Sequence, residues 1–235
     1  SNRVADEIVT DEKIESIMTK AKKNSPRYQD AIAQGLSASE IDKIFNTPVH
    51  MKVFSYKGDF DTVMSPIDSI RYYKGILQAG LMSMDPQTGF IKAWVGGPDF
   101  NHFTYDHVKQ SRRQVGSTIK PFVYAAAIYL GVIDPCEAFV DMNYCIDVPV
   151  SPTKNKSWCP APGTKTSGGL ITAECGLAGS LNNLTVAVMK KMGPTAGPQA
   201  MNKLLQNVGI NLKPEEVVPA MCLGPMDLSL YTMVG

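Results

Sequence analysis

Hydrophobic and polar positions along this chain change rhythm several times, and each change marks an element. Residues 1 to about 50 read as charged helical segments with a narrow apolar face. Ser37 stands three positions before Glu40, ahead of Ile41 and Ile44-Phe45, which is a capping box opening a short helix. Residues 51 to 72 alternate polar and apolar around turn signals and read as weakly strand-like. Gly80 to Met84 is an apolar run, Asp85-Pro86-Gln87-Thr88-Gly89 has turn chemistry, and Phe90 to Val95 is β-prone. Together they predict a β-hairpin ended by Gly96-Gly97-Pro98.

A polar stretch from Asp99 to Arg113 leads into an apolar helix over about 117–130, closed by Gly131. Residues 132 to 168 read as loop, with prolines at 135, 149, 152, 160 and 162. Helical patterning returns near 172–178, 183–192 and 195–208, and Met221 to Gly235 ends the chain in mid-pattern. The chain contains no internal repeat.

At 235 residues and 44% hydrophobic, the chain can bury one large domain plus a smaller element. A net charge of +1 supplies no pull toward nucleic acid or anionic lipid, so neither is an expected partner. No apolar run approaches the ~20 residues needed to cross a bilayer. The opening Ser1-Asn2-Arg3 is expected to be a cut edge of something longer. Five cysteines, with no C-x-x-C and no Cys/His cluster, argue against zinc, and no metal is expected. Cys145 and Cys159 bracket a polar, proline-rich stretch that a disulfide would close in an oxidising compartment; the competing reading is buried free thiols.

Candidate chemistry centres on Ser117 and Lys120, in Gly116-Ser117-Thr118-Ile119-Lys120-Pro121-Phe122 at the mouth of the apolar helix. With three histidines in the chain, lysine is the stronger candidate base. Residues three apart on a helix share a face. Pro121 is tolerated where a helix has just begun, which places Ser117 at or near the N-cap. There, burial and the positive helix end would lower the lysine pKa, and a backbone N–H would face a developing oxyanion. The competing reading is that Ser117 caps the helix while Lys120 points to solvent. Ser151-Pro152-Thr153-Lys154 has the same spacing but lies in a loop, so nothing holds its two ends on one face. Ser180-Leu181-Asn182, at another predicted helix start, offers a second hydroxyl and an amide; ordinary N-capping is its competing reading.

The order of these features resembles the penicillin-binding transpeptidase family, whose motifs are Ser-x-x-Lys, Ser-x-Asn and Lys-Thr-Gly. The resemblance runs from about Tyr72 to Gly235. It is carried by Ala79–Gly89 leading into Ala93–Gly97, by Phe100-Asn101 ahead of Arg113-Gln114, and by Gly116–Phe122. Gly168-Gly169-x-Ile171-Thr172 ahead of Ser180-Leu181-Asn182 completes it. The chain is most similar to the class A, bifunctional members, and Asp61–Met64 with Ser69–Tyr73 resembles those of Bacteroidetes.

The resemblance implies an α+β fold of the β-lactamase/transpeptidase type, with an antiparallel sheet packed between helices. Residues 1–72 would form a linker or pedestal, and 73–235 the N-terminal part of the transpeptidase domain. It implies Ser117 as acylated nucleophile, Lys120 as its base, Ser180 as proton relay and Asn182 as substrate-binding amide. Lys165-Thr166-Ser167-Gly168 precedes Ser-x-Asn, whereas the family's Lys-Thr-Gly follows it, so 165–168 reads as a glycine-rich turn. The third motif is expected beyond Gly235, and the membrane anchor and glycosyltransferase domain before Ser1. Implied partners are peptidoglycan stem peptides, as D-Ala-D-Ala donor and amine acceptor, and β-lactam antibiotics; no cofactor is implied. The implied location is the periplasmic face of the cytoplasmic membrane. Alternatives are a serine β-lactamase or D,D-carboxypeptidase of the same fold, or a β-lactam-sensing or scaffold domain.

Overall fold

The computed structural model describes residues 11–151, 153–161, 163 and 165–235; the helical reading of residues 1–10 and position 152 lie outside them. The chain divides into two compact units. One takes the chain up to Ala79 and returns for Pro98–Thr104; the other holds Gly80–Gly97 and Tyr105–Gly235.

The first unit contains α1 (Asp11–Lys23), α2 (Pro26–Ala33), α3 (Ala38–Asn46), the antiparallel pair β1 (Val49–Val53) and β2 (Phe60–Met64), and α4 (Pro66–Gly75). The expected capping box is present: the Ser37 hydroxyl accepts from Glu40 N–H while the Glu40 carboxylate accepts from Ser37 N–H. Helix α4 replaces the strand character expected up to residue 72. Ser65 accepts from Asp68 N–H and Pro66 stands at the first helical position, so a Ser-Pro that reads as a turn opens a helix instead. A small core of Ala31, Ile41 and Phe45 holds the helices together. The returning segment is clasped by His102, whose Nδ1 lies 2.9 Å from Asp99 Oδ1 and Nε2 3.3 Å from Asp59 Oδ1. Asp99, foremost, raises the pKa of this imidazole above its usual value.

The second unit is α+β, and every strand pair in it is antiparallel. The expected hairpin is β3 (Leu81–Met84) with β4 (Ile91–Val95), turned at Asp85–Gly89. Then come β5 (Arg112–Gln114), a 3₁₀ turn at Gly116–Ile119 and α5 (Lys120–Tyr129). The loop expected from 132 to 168 instead contains β6 (Ala138–Val140) and a hairpin of β7 (Ile146–Ser151) and β8 (Lys154–Trp158). Proline removes a ladder donor, and it is tolerated here because β7 and β8 pair only with each other among the described residues. Strand β9 (Leu170–Thr172) pairs with β6 and runs into α6 (Ala173–Ala178), α7 (Asn182–Met192) and α8 (Ala196–Asn207). A 3₁₀ turn at Pro219–Leu223, β10 (Asp227–Ser229) and α9 (Leu230–Val234) follow. The strands form two-stranded ladders rather than one continuous sheet among the described residues.

The core of this unit gathers on α5, α7 and α8. Ile119, Val123, Ala127, Val186, Val188, Met189, Met201 and Leu205 are all fully buried. Helix α7 lies inside the unit, with Leu184 through Met189 buried in succession and the exposed Lys190 and Lys191 confined to its last turn. Cys145 and Cys159 are joined as a disulfide across the open end of the β7–β8 hairpin, beside the Ile146↔Trp158 pair. Closing a loop of this length stabilises by about 3 kcal/mol. Replacing both cysteines with serine is expected to lower the unfolding free energy by about that amount in urea titrations, with a larger m-value because the unbridged denatured chain is less compact.

Candidate active site

Two glycines set the turn that carries Ser117. Gly224 has φ +68° and ends the 3₁₀ turn at Pro219–Leu223. A Cβ there would fall 2.1 Å from Gly116 O, so only glycine permits the approach. The Gly116 N–H donates to Gly224 O at 2.9 Å, and Val115 N–H to Met226 O at 3.0 Å. The β5–β10 pairing continues this contact, with Gln114 opposite Asp227. The chain before Ser117 is thereby pinned to a segment more than 100 residues away.

Ser117 lies inside the 3₁₀ turn, not at the N-cap: the cap position is Val115, and no side chain caps the turn. It therefore lies near the cap, as expected, but does not serve as one, which removes the capping explanation for this serine. Its side chain is exposed. Its N–H has no backbone acceptor among the described residues, as first-turn amides do.

Lys120 begins α5 and is 1% exposed. Its amine donates to Ser180 O at 2.6 Å and to Asn182 Oδ1 at 2.7 Å, and lies 3.1 Å from Ser180 Oγ. No carboxylate is within ion-pair distance of it among the described residues. Burial lowers its pKa. Cys222 is the neighbour whose negative charge would raise it again, but burial pushes that thiol up to about 12. At neutral pH Cys222 is uncharged, so desolvation prevails. One turn along α5, the Tyr124 hydroxyl is buried without a hydrogen-bond partner, and burial raises its pKa too. Among the described residues, every hydrogen-bond partner of the amine is uncharged.

The geometry accepts two protonation states. An ammonium has three N–H donors for three oxygens. A neutral amine keeps two N–H bonds, to Ser180 O and Asn182 Oδ1, and turns its lone pair toward the Ser180 hydroxyl. No hydrogen bond joins Ser117 Oγ to Lys120 Nζ among the described residues. The structure thus assembles Lys120, Ser180 and Asn182, with Ser117 one short turn before the lysine.

Ser180 reaches this position at a conformational cost. It has φ +51°, the sole non-glycine in the left-handed region among the described residues. Leu181 N–H donates to Gly176 O and Ser180 N–H to Leu177 O, which is the Schellman ending of α6 with Ser180 where glycine is favoured. A serine there costs about 1 kcal/mol or more, and it turns both its carbonyl and its hydroxyl to Lys120. The residue opens no helix by its side chain, since α7 has no side-chain cap. The second Ser-x-x-Lys gathers nothing: Ser151 and Lys154 are exposed at the tip of the β7–β8 hairpin. Residues 165–168 form neither helix nor strand, and Ser167 binds back to Asp141. The sequence pattern had not singled out Gly224, Cys222, Tyr124 or Asp141.

Known proteins resemble this chain along most of its length. Residues 79–219 match the family described as "Penicillin binding protein transpeptidase domain", and residues 4–77 match "Penicillin-binding protein middle domain". Similar proteins include penicillin-binding protein 1A of Rickettsia prowazekii, 34% identical over 77% of this chain and 22% of that protein. Penicillin-binding protein 1A of Neisseria flavescens is 30% identical over 68% of this chain and 18% of its own. A crystal structure of penicillin-binding protein 1A from Haemophilus influenzae superposes with a TM-score of 0.56 and 28% identity, over 66% of this chain and 22% of that one. The expected Bacteroidetes likeness finds no support in these matches. The chain belongs to the penicillin-binding protein transpeptidase family, and it spans about a fifth of the length of these relatives.

Ser180→Gly and Ser180→Ala both remove the hydroxyl, but glycine alone relieves the left-handed strain. Calorimetry is expected to find the glycine variant about 1 kcal/mol more stable than the alanine variant, with both impaired in acylation. Equal melting temperatures would contradict the strain assigned to this residue.

Proposed function

We propose that this chain is the acylating part of a peptidoglycan D,D-transpeptidase. The observation that carries the reading is the buried Lys120 amine, held by neutral oxygens beside the turn that presents Ser117. Ser117 Oγ attacks the carbonyl of the donor D-Ala-D-Ala bond while its proton passes to neutral Lys120, whose lone pair turns from Ser180 Oγ to Ser117 Oγ once the donor is bound. The oxyanion forms against the free Ser117 N–H. The C–N bond then breaks, and the proton held by Lys120 moves through the Ser180 hydroxyl to the departing D-alanine amine. An ester to Ser117 remains, and an amine of a neighbouring stem peptide attacks it, regenerating the serine. Asn182 has a role on each side: its Oδ1 steadies Lys120, while its Nδ2 is available to a substrate carbonyl.

β-Lactams present the same kind of carbonyl, held in a ring, and acylate the same serine. Membership of this family supports a cell-wall setting for the full enzyme, and the Cys145–Cys159 disulfide supports an oxidising, periplasmic one. No helix among the described residues is long and apolar enough to cross a membrane; anchoring, glycosyltransferase activity and the Lys-Thr-Gly motif are assigned to the rest of the protein. Residues up to Ala79, with Pro98–Thr104, serve as its pedestal.

Intact-mass measurement after penicillin exposure tests the assignment. The full-length protein is expected to gain one penicillin mass and Ser117→Ala none; an adduct persisting in Ser117→Ala would move the nucleophile elsewhere. An adduct lost within seconds would favour a β-lactamase instead. Acylation should also accelerate as pH rises and Lys120 loses its proton, with a midpoint below the ordinary lysine value of 10.5. Lys120→Arg, which cannot deprotonate, is expected to slow acylation at least about a hundredfold and to flatten that profile.

A further inference from the structure

Two adjacent asparagines open α7, and they face different partners. Asn182 holds Lys120. Asn183, 3% exposed, donates its Nδ2 to Asp141 Oδ1, while its own Oδ1 stays buried and unpaired. Asp141, 6% exposed, is a hub. Its Oδ2 accepts from Ser167 N–H at 2.7 Å and from the Ser167 hydroxyl at 2.8 Å. Its backbone closes the same corner, donating to Gly169 O at 2.8 Å and accepting from Gly168 N–H at 3.0 Å. These bonds, the Ser167 N–H foremost, hold its carboxyl below the usual range, so it is ionised at neutral pH. One carboxylate therefore ties the 165–169 turn to the first turn of α7.

The stretch leading into that turn meets Asn182 as well. Gly163 has φ +81°, and a Cβ there would lie 3.0 Å from Asn182 Nδ2. Gly163 and the 165–169 turn thus both meet the α7 start, one against the Asn182 amide and the other bound through Asp141.

We infer that Asp141 is a positioning residue for acylation: it fixes the rotation of the first α7 turn and so aims the Asn182 amide at Lys120 and at the acyl donor. Consecutive helical side chains project about 100° apart. Anchoring residue 183 to Asp141 therefore fixes where residue 182 points. The usual alternative, a side-chain N-cap, is missing here because Leu181 occupies the cap. Without Asp141 the amide swings, and Lys120 loses the acceptor that holds its neutral form in register. The inference rests on the transpeptidase reading above.

The test follows acylation of the full-length protein by a fluorescent penicillin in stopped flow, separating the encounter dissociation constant from the acylation rate constant. Melting temperatures are measured alongside. Asp141→Asn is expected to lower the rate constant about tenfold or more while leaving the dissociation constant within about twofold. Asp141→Asn combined with Asn183→Asp exchanges donor and acceptor across the same bond and should restore most of that loss. A folded Asp141→Asn that acylates at the wild-type rate overturns the inference. Should that variant not fold, Ser167→Ala decides: about a threefold loss supports it, and an unchanged rate constant overturns it. A wild type that takes no label removes the transpeptidase reading itself. A labelled wild type beside an unaffected Asp141→Asn removes only the role given to Asp141.

Discussion

A lysine amine buried among uncharged oxygens is the constraint around which this site is built. Placing an ammonium in such surroundings without a carboxylate costs several kcal/mol, and shedding the proton avoids that cost. Lys120 has Ser180 O, Ser180 Oγ and Asn182 Oδ1 about it, with a thiol and a phenol held neutral nearby. A carboxylate in place of any of these would hold the charge on the amine and remove a base from Ser117. The linkage has a definite sign. A lysine with a lowered folded pKa makes folding less favourable below that value, and stability recovers as pH rises from it toward 10.5. The site is thus destabilising at neutral pH, and the core on α5, α7 and α8 offsets it.

The same exchange of stability for geometry recurs around the amine. Ser180 takes a left-handed conformation that glycine would adopt freely, so that its carbonyl and hydroxyl reach one atom. Gly224 goes the other way, giving up a side chain so that its backbone meets that of Gly116 and holds the serine's turn. Rigid placement matters because small displacements of a base from its nucleophile carry large rate costs. In this structure Ser117 lies at the surface, while Lys120 and the glycine that pins the serine's turn are buried.

Much of this was legible in the sequence, and the reasons are local. Ser117 and Lys120 stood out because an apolar run with an early proline marks a helix start. The Ser37–Glu40 box and the β3–β4 hairpin were readable for the same reason: their signals lie within a few residues. What failed depended on distant partners. The helix start expected at Ser117 is a 3₁₀ turn because Gly224, 107 positions beyond Ser117 in the chain, holds the backbone there. The β7–β8 hairpin hid behind its prolines, and α4 behind a Ser-Pro that resembles a turn. Asp141 carried no motif at all; its partners Ser167 and Asn183 lie 26 and 42 residues away.

The most direct measurement is titration of the Lys120 amine itself, by NMR of the protein labelled at lysine Nζ, with Lys120→Arg identifying the resonance. A midpoint below 10.5 that moves upward when a carboxylate is introduced by Cys222→Asp is the predicted result. An amine titrating at the ordinary lysine value in the folded protein would contradict the account.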